Sequence, residues 1–102
     1  MKTVTLGPSG VAQNLWIVLQ AKDPTLKSPE CCMLLISSAN GNGAALVYIG
    51  NSDVSPTNRG AEIQTFQGYG IDAIDLNLID ISQFWVVSDT NSVKLNVSFL
   101  VH

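Results

Sequence analysis

The closing stretch of the chain, "VKLNVSFLVH", constrains the fold more than any other. Val93, Leu95, Val97, Phe99 and Val101 alternate with Lys94, Asn96, Ser98, Leu100 and His102. Side chains along a strand point to opposite faces, so a strand gathers the apolar set on one side. A helix would scatter both sets around its axis. The stretch is therefore a half-buried antiparallel strand, and its apolar face needs a second layer to cover it. Leu100 is the exception, an apolar side chain on the polar face.

Strand signals recur upstream, punctuated by turns. Residues 15–21, "LWIVLQA", are rich in β-branched and aromatic types and read as a strand stopped by Pro24 and Pro29. Residues 31–39, "CCMLLISSA", form a continuous apolar run, as in a strand buried on both faces. The "NGNG" of residues 40–43 supplies the positive φ angles of a tight hairpin turn. This predicts a hairpin between residues 33–38 and 45–49. Residues 51–60 are loop, residues 61–67 a short strand, and "GYG" at 68–70 breaks it. Residues 71–79 are read as a strand, with one helical turn near Asp72 as the competing pattern, followed by a turn at residues 80–83. Residues 84–88 form the next strand and 89–92 its turn. Short strands separated by turns every ten or so residues predict an all-β fold with little helix. The expected form is a single antiparallel β-sandwich, jelly-roll-like or Ig-like, spanning residues 1–102. Residues 1–10, polar and containing Gly and Pro, are expected to form an extended N-terminal arm.

With 102 residues, one domain is expected. Only 13% of residues are charged, against about 25% in ordinary domains, while 46% are hydrophobic. A neutral surface of this kind favours life against neighbours. The net charge of −3 and the five scattered Lys and Arg residues do not provide the clustered cations that phosphate neutralisation requires, so no nucleic-acid partner is expected. No segment approaches the ~18 apolar residues of a membrane span, so no membrane partner is expected. The N-terminus lacks the apolar core of a secretion signal.

Reactive groups are sparse. The only histidine, His102, is the last residue, a poor place for a general base that needs fixed geometry. Asp53, Glu62, Asp72, Asp75 and Asp80 are the remaining candidates, as a carboxylate pair or a Ca²⁺ site. The D-x-D-x-D-G calcium loop is missing, and Asp80 reads as a turn cap. Cys31 and Cys32 are adjacent, so on a strand they face opposite ways; buried reduced thiols are the expectation, with an intermolecular disulfide as the alternative. No catalytic residue, metal or cofactor is assigned, and the chain is expected not to be an enzyme. Arg59, the sole arginine, is placed to pair with Glu62 or with a partner's carboxylate. Trp16 and Trp85 are read as core or interface residues.

Two phrases carry a resemblance. The turn Gly50, Ser52, Asp53, Val54 ends an apolar strand, and Asp80, Ile81, Ser82, Phe84, Val86, Ser88 and Asp89 precede the closing strand. This pattern, covering the C-terminal half, resembles small virion structural proteins of tailed bacteriophages. The resemblance implies a non-enzymatic capsid decoration or cement protein. Such a protein is made in the host bacterial cytoplasm, sits on the capsid surface of the virion, binds the major capsid protein and is commonly a homotrimer. The residues expected to contact partners are Asn51, Ser52, Asp53, Arg59, Trp16, Trp85 and Leu100. The contact segments are the 51–59 loop, residues 23–30 and the 1–10 arm. The alternative function is a carbohydrate- or host-surface-binding β-sandwich module of a phage tail or fibre. It predicts an exposed Trp or Tyr beside an acidic or amide side chain.

Overall fold

Closing the C-terminal strand into a sheet draws in both ends of the chain. A computed structural model describes residues 2–38, 45–55, 57–63, 68–72 and 79–101. The strands are β1 (Lys2–Thr5), β2 (Gln13–Asn14), β3 (Glu30–Ser38), β4 (Val47–Gly50), β5 (Ala61–Ile63), β6 (Gly68–Asp72), β7 (Ile79–Asp80), β8 (Trp85–Ser88) and β9 (Lys94–Val101). One α-helix, α1 (Leu15–Lys22), and one 3-10 turn (Ile81–Gln83) complete the described elements.

The strands form two antiparallel sheets. Sheet A has the order β1-β9-β3-β6, with β7 also pairing with β3; sheet B has the order β2-β8-β4-β5. The pairs are nested in sequence: β1 with β9, β2 with β8, β3 with β6, β4 with β5. Rolling such a nested hairpin into two layers gives the jelly-roll sandwich, one of the two forms expected. An Ig-like arrangement does not fit, because β1, β2, β3 and β4 alternate between sheets.

The inner faces meet in one buried cluster. Sheet A contributes Val4, Leu34, Ile36, Leu95 and Val97; sheet B contributes Val47, Ile49, Ile63 and Val86. Phe99 packs against this cluster and Leu100 stands 56% exposed on the opposite face, so the alternation of the closing strand is realised.

Several expectations are corrected. Residues 15–21 are not a strand but helix. Asn14 decides this locally: its side-chain oxygen accepts from the Ile17 N–H at 3.2 Å while its amide donates to the Ser82 carbonyl at 2.8 Å. An N-cap of this kind satisfies a helix donor that a β-propensity count ignores. Leu15, Trp16 and Leu19 then turn into the core and outweigh the β-branched Ile17, which is 64% exposed.

The hairpin between residues 33–38 and 45–49 does not form. β3 pairs with β6, β7 and β9, whereas β4 lies in the other sheet. Leu34 and Ile36 face Val47 and Ile49 across the core, which one sheet could not arrange. Residues 40–43 lie outside the described residues. The run 31–39 is not buried on both faces either, since Met33 and Leu35 are 42% and 43% exposed. "GYG" does not break a strand but begins β6. A Cβ on Gly68 or Gly70 would meet the Leu35 Cδ1 at 3.4 and 3.6 Å, so Leu35 lies along a strip of bare backbone.

The N-terminal arm is not an arm. Lys2–Thr5 is a paired strand, and Val4 and Leu6 are each 2% exposed. Beyond it, the Leu6 N–H donates to the Val93 carbonyl at 2.8 Å and the Gly10 N–H to the Ser88 carbonyl at 2.9 Å. The turn at Asp80 forms as expected: its carboxylate accepts from the Ser82 N–H at 2.9 Å and the Ser82 hydroxyl at 2.6 Å. Among the described residues, no helix is long and apolar enough to cross a membrane.

Candidate functional site

Each sheet has an outer face, and the two are finished differently. On sheet B, Tyr48 and Val87 stand opposite each other and form an apolar patch with Leu46, Ala12 and the half-buried Trp85. The loop after β4 covers it. Asn51, Ser52 and Asp53 make the exposed turn, with the Val54 N–H donating to the Asn51 carbonyl at 2.9 Å. This drops Val54, 5% exposed, onto the patch. A Cβ on Gly50 would come within 3.0 Å of the Val54 Cγ2, so the return of the loop depends on glycine there. Arg59 completes the cover. Its guanidinium lies 5.1 Å from the Tyr48 ring centroid and 3.3 Å from the Glu62 carboxylate, the partner expected from sequence.

Sheet A has no such cover among the described residues. Met33 stands opposite Leu100 and Leu35 opposite Ser98, with Gly70 beside Leu35 on β6. Further along the same face, Ser37 lies opposite Asn96, and the Thr3 hydroxyl donates to the Asn96 side-chain oxygen at 2.8 Å. The result is an open face, apolar at one end and neutral-polar at the other. Cys32 borders the apolar end, its thiol donating to the Leu100 carbonyl at 3.4 Å. Cys31 points the other way, into the core; both cysteines are free. Burial pushes the Cys31 thiol pKa up, which keeps it protonated and unreactive.

A third feature opens between the sheets. A cleft of about 240 Å³ is lined by Ile49, Gly50 and Asn51 at the end of β4, and by Gly60 where the loop returns. Its other walls are Tyr69 of β6, and Gln83 and Phe84 between the 3-10 turn and β8.

The residues expected to contact partners therefore separate. Asn51, Ser52, Asp53 and Arg59 share the loop over sheet B, with Trp85 beneath it on β8. Leu100 lies on the outer face of sheet A. Trp16 does not stand at a contact surface: it is in the core at 9% exposure, because the helix that replaces the expected strand turns its indole inward. Of the candidate acids, Asp80 caps a turn, Glu62 pairs with Arg59 and Asp53 is exposed; the side chains of Asp72 and Asp75 lie outside the description. Met33 and Leu35 were missed because a continuous apolar run hides which members face out. Leu100, odd within its alternation, was the available signal. Tyr69, Gln83 and Phe84 carried no signal of their own, since only the topology brings them together.

No match to this chain was found among protein-family models, curated proteins or solved structures.

Proposed function

We propose that this chain is a non-enzymatic decoration protein of a tailed-phage capsid, docking on the major capsid protein through the outer face of sheet A. The observation that carries the reading is the exposed trio Met33, Leu35 and Leu100 on the outer face of sheet A. Isolated exposed apolar residues are ordinary, but a contiguous set bordered by neutral hydrogen-bonding groups has the make-up of a protein interface. A rigid jelly-roll module suits this work, because repeated weak contacts on one shell add up without any reactive group. The sequence resemblance points the same way. The reading includes a homo-oligomer, a trimer at junctions between capsid subunits, on the virion surface.

The experiment is co-sedimentation of the purified chain with undecorated shells of tailed phages, wild type against Leu35→Lys. Wild-type binding with loss in the variant supports the reading; a folded wild type that sediments with no shell defeats it. Light scattering after size exclusion, at low and high salt, tests the trimer separately.

A further inference from the structure

The cleft between the sheets is separate from the docking face: Tyr69 pairs with the buried Ile36, whereas the docking face is carried by Leu35 and Met33 on the alternate side of β3. Its chemistry is specific. Two half-buried aromatic rings, Tyr69 and Phe84, pack against the core and so hold fixed positions. Two exposed amide side chains, Asn51 and Gln83, stand at the same opening. Among the described residues, neither amide and no Tyr69 hydroxyl has a hydrogen-bond partner within the chain, although Asn14, Gln13 and Asp80 nearby are all committed. No charged side chain lines the cleft among the described residues, and Gly50 and Gly60 leave backbone uncovered in its wall.

The geometry points to a binding site for one neutral sugar ring. Among the described lining residues, a charged ligand would find no counter-charge. A wholly apolar ligand would strip water from two amides and a phenol without replacing it, at a cost in affinity. A pyranose matches both requirements, since its C–H face packs on aromatic rings while its hydroxyls donate to and accept from amides. The volume of about 240 Å³ falls below the roughly 300 Å³ at which ordinary small-molecule sites begin, which limits the occupant to a single ring at the end of a glycan. With one ring and three or four hydrogen bonds, affinity is expected to be roughly millimolar.

The test is titration of the ¹⁵N-labelled full chain with the methyl glycosides of glucose, galactose, mannose and N-acetylglucosamine, followed by amide correlation spectra. At least one glycoside is expected to shift the amides of Gly50, Asn51, Gly60, Gln83 and Phe84 saturably. Asn51→Ala and Gln83→Ala, both at exposed positions, are each expected to weaken that binding about tenfold with thermal stability unchanged. Leu35→Lys should leave the titration as it is, which separates this site from the docking face. No saturable shift with any of the four glycosides overturns the assignment. Shifts that lie outside the cleft, or that survive both amide substitutions, overturn it equally.

Discussion

The two outer faces of this sandwich begin with the same problem and end differently. Each sheet presents apolar side chains away from the core: Tyr48 and Val87 on sheet B, Met33, Leu35 and Leu100 on sheet A. Sheet B resolves it with its own chain. The loop after β4 folds back, seats Val54 and lays Arg59 over Tyr48. Among the described residues, sheet A's outer face has no such cover. The difference teaches that exposed apolar area on sheet A is not a general property of this small sandwich, because a neighbouring patch of similar make-up is closed internally. It also separates residues that are expected to act together: Arg59 lies in the loop that covers sheet B, while Leu100 stands exposed on the outer face of sheet A.

Substitutions that treat the two faces alike should produce unlike results. The largest effect is expected from Val54→Asp, which sets a carboxylate on a dry patch and should cost about 3 kcal/mol in urea denaturation. A change near zero would mean that the cover contributes nothing. Gly50→Ala comes next, at about 1–3 kcal/mol, because its Cβ would press on Val54 at 3.0 Å. Gly70→Ala on sheet A meets the end of Leu35 at 3.6 Å and the Leu34 carbonyl at 4.0 Å, both ordinary contacts, and should be neutral or slightly stabilising. Equal losses at the two glycines would erase the contrast. Leu35→Lys should shift stability by no more than about 0.5 kcal/mol while abolishing shell binding. Arg59→Ala should cost about 0.5–1 kcal/mol, from the lost contact with Tyr48 and the exposed pair with Glu62.

An acid-dependent effect concerns how β1, at the flank of sheet A, is tied to the helix. The Lys2 ammonium lies 2.8 Å from the Asp23 carboxylate. Lys2 first, then Thr25, lowers the Asp23 pKa from its ordinary 3.8 to about 2. A carboxyl with a depressed folded-state pKa adds stability that is present above 3.8 and lost as the pH falls through about 2. Thermal melts of Asp23→Asn should therefore show less acid dependence than wild type across that window. Parallel curves would show that the pair contributes nothing.

Legibility in the sequence followed locality. The closing strand, the Asp80 turn and the turn at 89–92 depend on neighbours in sequence, and all three were readable from alternation or from side-chain caps. The helix was missed because a single capping residue, Asn14, outranked the β propensity of seven that follow it. The false hairpin has the opposite cause. An Asn-Gly turn signal is local, but β3 finds its partners in β6 and β9, and no local signal says so. For the same reason the cleft could not be read: its walls come from four separate stretches of chain. Of the expected contact residues, Leu100 was legible because it violated its own strand's pattern. Met33 and Leu35 sat within a run where every member looked equally apolar.

The nested pairing also sets an order of events during synthesis. β9 lies between β1 and β3 in sheet A, yet it is the last of the described strands to be made. Until then β1 has no partner in the sheet and β3 lacks one side, so both strands wait with unpaired edges. The β4–β5 pair of sheet B, whose strands are close in sequence, can form much earlier. The growing chain can thus pair β4 with β5 and β3 with β6 early, whereas β8 and β9, each interior to its sheet, close both walls late. A ribosome stalled before residue 94 would hold a sheet without its middle.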